Sequence, residues 1–278
     1  MIAHMKLQLA GVPLGNPGDA SARLISAISS ASIIAAEDSR RFQRLCQDLG
    51  VASQAKVLSF FEGNEKDRLS ELESALRKFE NVLLITDAGM PGVSDPGYRA
   101  IRMAIDSGFE VKVLPGPSAV TTALALSGLS SDRFCFEGFA PRSEIARNRY
   151  FEELKEEERT MIFFEAPHRV CEFLKSAALV FGEKRPASIS REMTKTHEET
   201  VRGSLEELRL WSESKEMLGE FTIVIEGLDR DSLEYSDADL AQRLKDLEGT
   251  GLSRRDAIAK LAKELRISKR RVFDIAHQ

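Results

Sequence analysis

Long apolar runs are missing from this chain of 278 residues. No stretch approaches the roughly 20 consecutive apolar residues of a bilayer-spanning helix, which excludes that class of membrane protein. The opening MIAHMKLQLAGV has no apolar segment ending at a small-residue cleavage site, so no secretory leader is expected. Cysteine is scarce. Cys46, Cys135 and Cys171 are scattered, odd in number and without metal-ligand spacing. No metal site is expected, and the three fit core thiols of a cytoplasmic protein. Two nucleotide signatures are absent as well. Gly11, Gly15 and Gly18 do not form the G-x-G-x-x-G dinucleotide fingerprint, and no glycine-rich loop ends in Lys-Ser or Lys-Thr. Nicotinamide dinucleotides, ATP and GTP are therefore not expected ligands.

What is present is ordinary in bulk and uneven in distribution. Hydrophobic residues make up 42% and charged residues 30%, as in a soluble globular protein. The length suits two domains with an appendage, divided at residues 1–127, 128–227, a linker 228–236 and a tail 237–278. Net charge is −5, yet the last 26 residues, from Ser253, hold eight Lys or Arg against three Asp or Glu. That segment carries +5 and the rest of the chain −10, the pattern of a basic module on an acidic body.

Alternation of short apolar runs with amphipathic segments predicts strands Lys6–Val12, Ile33–Ala36, Val57–Phe60, Val82–Thr86 and Val111–Leu114. Helices are expected between them: one capped by Asp19 and running to Ala31, then Arg40–Leu49, Lys66–Phe79 and Tyr98–Ser107, with another from Ser118 to Leu126. Such alternation implies an α/β fold with a mostly parallel sheet. After Gly128–Arg133 a second set follows: strands Phe134–Glu137, Thr160–Glu165, Ala187–Ser190 and Phe221–Ile225, with helices Glu144–Glu158, Arg169–Phe181 and Leu205–Ser212. In the tail, Ile258, Leu261, Ala262 and Leu265 sit at helical spacing, and a turn at Arg266–Ser268 leads to a second short helix. A helix-turn-helix and a bare helical hairpin both fit.

Three glycine- and proline-rich turns, Gly11–Gly18, Asp87–Gly97 and Pro115–Ser118, each follow a strand of the first set. In a parallel sheet they share one rim, where ligands of open α/β sheets bind. Asp87 and Asp95 supply negative charge there, which favours a ligand with a positive centre over a triphosphate.

The motifs VPLGNPGD, AAEDSRR, TDAGMPGVSDPGY, LPGPSA, DRFCFEGF, FFEAPHR and SREMTKTHEE occur in order from about Leu7 to Gly227. Together they resemble the tetrapyrrole methylase superfamily, and within it the bacterial small-subunit ribosomal RNA cytidine 2′-O-ribose methyltransferases. The resemblance implies two αβα domains with S-adenosylmethionine folded between them, usually in a homodimer acting on 16S rRNA of the small ribosomal subunit. By position it implies cofactor contacts at Leu14, Asp87, Ala88, Gly89, Met90, Val93, Ser118, Ala119, Glu165 and Met193. The chain departs from that pattern in three places. Met90 stands where Thr is usual, Phe61-Glu62-Gly63-Asn64 replaces a His-Glu-His-Asn-type string, and Leu218-Gly219-Glu220 replaces Lys-Gly-Glu.

A ribose hydroxyl needs alignment with the methyl group and help in losing its proton. Polar candidates are Glu37, Asp38, Glu65, Glu165, His168, Arg191, Glu192 and Lys195. Lys195 and Arg191 are expected to hold a phosphate or oxyanion, and Glu165 or Glu192 to accept the proton. Against each stands a plainer role: Glu37 and Asp38 fit helix caps, His168 a carbonyl partner, Lys195 a surface pair with Glu198 or Glu199. Arg40, Arg41 and Arg44 fit a phosphate-binding stripe or a solvated helix face; His168, Arg169, Lys269, Arg270 and Arg271 complete the expected RNA contacts. A methyltransferase of corrin or porphyrin precursors is the alternative inside the superfamily, and a ligand-sensing DNA-binding regulator the alternative outside it. The basic tail favours RNA over a tetrapyrrole, and its Lys and Arg side chains suit phosphates better than base edges.

Overall fold

The structure is a computed structural model and describes residues 5–229, 236–265 and 267–277. Five short strands, β1 (Lys6–Ala10), β2 (Ile33–Ala36), β3 (Lys56–Ser59), β4 (Asn81–Ile85) and β5 (Glu110–Leu114), form one wholly parallel sheet. Their order is β3-β2-β4-β1-β5. Helices α1 (Ala22–Ser30), α2 (Ser39–Asp48), α3 (Glu65–Leu76) and α4 (Tyr98–Asp106) cover its two faces, and α5 (Ala119–Ser127) follows β5. Alternate side chains of each strand serve opposite faces. Leu7, Leu9, Val82 and Leu84 pack with Leu72 and Leu76 of α3 and Ala100 and Ala104 of α4. Ala10, Leu83 and Ile85 pack with Leu24 and Ile28 of α1 and Phe42 of α2. Burial on both faces explains the unbroken apolar runs.

The chain therefore leaves β1 toward one face and β4 toward the other, although these strands are neighbours. Such a reversal opens a crevice beyond their carboxyl ends. A backbone bridge spans it: Val12 N donates to Gly89 O at 2.9 Å and Gly89 N to Val12 O at 3.1 Å.

The second sheet contains β6 (Phe134–Phe139), β7 (Thr160–Glu165), β8 (Pro186–Arg191), β9 (Glu199–Ser204) and β10 (Phe221–Ile225) in the order β6-β7-β10-β8-β9. Only β6 and β7 run parallel; the remaining pairs are antiparallel, so this half is a mixed sheet. Helices α6 (Glu144–Glu153), α7 (Val170–Phe181) and α8 (Leu205–Glu213) accompany it. Phe151 of α6 sits at the centre of an aromatic cluster, its ring centroid 5.1 Å from those of Phe173 and Phe181 and 5.9 Å from that of Phe163. Helix α5 belongs to this half by packing: Val120, Ala123 and Leu124 join Ile162, Val224 and Met193 in one core.

Residues 154–159 and 227–278 form a second compact unit. Within it α9 (Asp237–Gly249), α10 (Arg254–Glu264) and α11 (Lys269–Ala276) bury Leu240, Leu244, Leu261, Val272 and Ile275 against one another. Ser236, Ser253 and Ser268 cap the three helices through side-chain bonds to the backbone. The tail is thus a three-helix bundle rather than a hairpin. Most of the expected linker, residues 230–235, and Arg266 of the expected turn lie outside the described residues. No described helix is long and apolar enough to cross a membrane.

Three local expectations are corrected. Asp19 lies in a one-turn helix, and Ser21 caps α1 instead, accepting from Leu24 N. Helix α6 ends at Glu153, five residues early. Residues Glu199–Ser204 form a strand where none was expected.

Candidate active site

The three turns of the first sheet converge because β4, β1 and β5 are adjacent. Their closeness depends on glycine: a Cβ on Gly11 would come within 2.8 Å of Gly116 Cα, and one on Gly116 within 2.7 Å of Gly11 O. Gly89 has φ +71°, a conformation that costs other residues dearly, while an added Cβ would meet Leu14 Cδ2 at an ordinary 3.4 Å. Its requirement is conformational rather than steric.

Beyond these turns lies a cavity of about 410 Å³. Leu14 lines it from the first turn, Asp87, Ala88, Gly89, Met90 and Val93 from the second, and Ser118 and Ala119 from the third. Glu165 and Met193 line it from the second half, so all ten expected cofactor positions meet in one space. Phe139, Phe164, Ala166, Pro167 and the Gly219–Thr222 segment complete the wall. The departures fall partly here: Met90 is in the wall, whereas Phe61 and Leu218 are exposed.

Glu37, Asp87, Asp95 and Glu220 make that wall acidic, with Arg41 the cation among the lining residues. Two motifs interlock there. Asp87 N donates to Glu37 Oε2 at 3.2 Å, and Asp38 N donates to Asp87 Oδ1 at 3.1 Å. Arg41 lies 3.4 Å from Asp87 Oδ2. Burial raises the carboxyl pKa of both Glu37 and Asp87, with Arg41 partly opposing the rise. Asp95 is the extreme case: burial, then repulsion from Glu37, Asp87 and Glu220, pushes it up to about 7. It has no hydrogen-bond or ion-pair partner among the described residues, and the residue before it, Ser94, is held at φ +59°. No motif in the sequence singled out this residue for catalysis.

Glu165 is buried at the end of β7, its pKa raised by burial against the Ala166 N–H and the neighbouring Arg169. Oε1 accepts from Ala166 N at 2.8 Å and lies 3.2 Å from Arg169 Nε, while Oε2 has no partner. Arg169 also donates through Nη2 to the Ala140 and Pro141 carbonyls. Its guanidinium is turned inward, away from the RNA contact expected of it.

The Arg191–Lys195 segment closes over the first turn. Asn16 N donates to Thr194 Oγ1 at 3.1 Å, and Glu192 and Thr194 flank Met193 with φ of +49° and +64°. Two non-glycine residues in this region store about 1–3 kcal/mol each, strain that concentrates at functional sites. Lys195 Nζ bonds Glu192 Oε1 and Glu220 Oε2, both at 2.9 Å, not Glu198 or Glu199. Burial opposes its charge, but these two carboxylates outweigh that and hold its pKa above the usual value. Glu192 is pushed up by burial and drawn down further by Lys195 and the Glu220 N–H. Arg191 donates to the Leu218 carbonyl at 2.6 Å and lies 3.7 Å from Glu199.

Asp38 and Glu65 have structural roles. Asp38 caps α2 through Arg40 N and Arg41 N. Glu65, buried, accepts from Gly97 N and Arg99 N and so fixes the end of the second turn. Arg40 and Arg44 are highly exposed beside Asp38 and Asp48, and His168 is exposed. Lys269, Arg270 and Arg271 are exposed on α11, with Arg271 3.6 Å from Asp237.

Residues 6–209 match the family described as Tetrapyrrole (Corrin/Porphyrin) Methylases. A Mycobacterium tuberculosis protein named ribosomal RNA small subunit methyltransferase I is 49% identical over 222 residues, covering 80% of this chain and 78% of its own. One of the same name from Synechocystis is 34% identical over 271 residues, 97% of this chain and 96% of its own. The chain belongs to this methyltransferase family. Among solved structures, a uroporphyrin-III C-methyltransferase from Thermus thermophilus complexed with S-adenosyl homocysteine shares the fold, with TM-score 0.54 and 16% identity over 79% of this chain and 96% of that one.

Proposed function

We propose that this protein transfers a methyl group from S-adenosylmethionine to the 2′-hydroxyl of a cytidine ribose in 16S rRNA. The observation that carries the reading is the meeting of ten expected cofactor positions in one acid-walled cavity. The residues suit that cofactor: four carboxylates favour its sulfonium, and the unpartnered Glu165 Oε2 is ready to accept from a hydroxyl or amine. Bound there, S-adenosylmethionine supplies the electrophilic methyl group.

The chain's own groups supply the rest. Gly89, Met90, Ser118 and Ala119 line the cavity, and Leu14 and Met193 line it from opposite halves. Asp95 takes the proton of the 2′-hydroxyl, because its carboxyl is unpartnered and its pKa of about 7 matches a base working near neutrality. Of the bases expected from sequence, Glu192 is bound to Lys195, and Glu165 engages Ala166 and Arg169 through Oε1 and keeps Oε2 for a hydroxyl or amine of the cofactor. Lys195 and Arg191 steady the flanking phosphate, with Lys195 bound to the cavity-lining Glu220. Arg40, Arg41, Arg44 and His168 offer further RNA contacts, as do Lys269, Arg270 and Arg271 of the tail. The enzyme acts as a homodimer, as the resemblance implies, and its scattered cysteines fit the cytoplasm. Methyl-labelled cofactor offered with small ribosomal subunits, naked 16S rRNA and tetrapyrrole precursors tests the reading. Label in a 2′-O-methylcytidine supports it; label only in a tetrapyrrole refutes it.

A further inference from the structure

The tail unit carries a second concave surface, of opposite charge. Helices α10 and α11 frame a groove of about 600 Å³ walled by Arg254, Arg255, Lys269, Arg270, Phe273 and His277, with no acidic side chain in its lining. Arg254 lies 3.7 Å from Glu248, outside that lining. Arg255, Lys269 and Arg270 form no ion pair among the described residues. Gathering cations without acids costs repulsion, which a polyanion relieves.

At the groove lies a flat aromatic surface. Phe273 and His277 are four residues apart on one helical face, and their rings stack with centroids 4.1 Å apart and planes tilted by 30°. His277 Nδ1 lies 2.8 Å from the Phe273 carbonyl oxygen, which fixes the imidazole over the phenyl ring. Phe273 nonetheless stays 52% exposed. The other apolar residues of α11, Val272, Ile275 and Ala276, are buried in the bundle, so core packing does not explain Phe273.

We propose that this groove binds single-stranded RNA, one base stacking on the Phe273–His277 pair and the adjoining phosphates meeting Arg254, Arg255, Lys269 and Arg270. The proposal rests on the rRNA reading above and adds the form of RNA that the tail takes. A helix cannot enter the deep, narrow major groove of duplex RNA, and base faces in a duplex are already covered. An unpaired strand offers both the free π-face and the closely spaced phosphates that this surface matches.

The test uses the full chain and fluorescence anisotropy with a labelled 12-nucleotide RNA, single-stranded or annealed to its complement. Phe273→Ala should weaken single-strand binding roughly ten- to a hundredfold, as loss of one base stack does. Its salt slope should remain that of the wild type. Phe273→Trp should restore affinity, and its fluorescence should be quenched by RNA. Replacing Arg255, Lys269 and Arg270 together by Ala should flatten the salt slope by about two, at roughly 0.7 per phosphate contact on a single strand. Cofactor affinity should be unchanged in every variant. Wild-type affinity in Phe273→Ala, equal preference for duplex, or displacement of the RNA by polyglutamate as effectively as by unlabelled RNA would overturn the proposal. The two readings fail separately. A wild type that binds the strand through Phe273 yet methylates no rRNA sinks the activity. A wild type that methylates rRNA while Phe273→Ala retains its kcat/KM and RNA affinity sinks the groove.

Discussion

The chain holds two concave surfaces built on opposite plans. The cavity beyond the parallel sheet is made of turns whose backbones approach closely, and carboxylates line it. The tail groove is made of helix side chains, and cations line it. Burial raises the pKa of Glu37, Asp87 and Asp95, and Asp95, pushed up to about 7, changes charge near neutrality. An overall charge of −5 hides both surfaces. A small cationic cofactor and a polyanionic substrate need not compete when each meets its own electrostatic surroundings.

The comparison breaks most visibly at Asp95. Asp95→Asn should lower kcat by roughly a hundredfold or more while cofactor affinity stays within a few-fold. Wild-type kcat should climb as pH rises through about 7, where Asp95 loses its proton, and the variant should lack that limb. Stability has the opposite sign. The folded pKa lies above the unfolded one, so ionisation opposes folding increasingly from the ordinary 3.8 up to about 7, and constantly above. The variant should therefore melt higher than the wild type at pH 8 and gain nothing below pH 3.8. Kinetic and thermal-melting pH profiles check both signs.

Gly89→Val comes next. A β-branched residue at φ +71° strains the turn that forms the cavity wall. Cofactor affinity by calorimetry should fall at least about tenfold, since left-handed backbone costs such residues roughly 1–2 kcal/mol or more. Unchanged affinity in a folded variant would remove this turn from the site. Lys195→Ala is expected to lower turnover by about tenfold, or roughly 1.4 kcal/mol of transition-state stabilisation, with cofactor affinity preserved. Wild-type rates would leave Lys195 as the tie between Glu192 and Glu220 and nothing more.

The smallest effect on the cavity should come from the tail. Cutting at Ser253 would expose Leu240 and Leu244 of α9, so the clean deletion begins at Ser236. That truncation should keep cofactor affinity within about twofold, reduce rRNA affinity and flatten its salt dependence through fewer released counterions. An unchanged slope would assign the tail to packing or dimerisation instead.

How much of this was legible beforehand varied with the physics involved. Strands β2, β7 and β10 were read to the residue, because buried runs such as IIAA and FTIVI leave little choice of structure. Strand β9 escaped: ETVRGS lacks an apolar face, and as an edge it pairs only with β8. The antiparallel order of the second sheet also escaped, since alternation in a strand says nothing of its neighbour's direction. Helix α9 was missed because charges surround the spaced Leu240, Leu244 and Leu247. The turns that line the cavity were visible as clustered glycine and proline. The raised pKa of Asp95 was not, because it comes from burial and from Glu37, Asp87 and Glu220 elsewhere in the chain.

The most direct measurement is ultraviolet cross-linking of methyl-labelled S-adenosylmethionine to the full chain, followed by peptide mapping. Label is expected in the peptides carrying Asp87–Val93, Glu165–Pro167 or Met193, saturable and abolished by excess unlabelled cofactor. Label concentrated in the Arg254–His277 peptides, or spread without saturation, would contradict it.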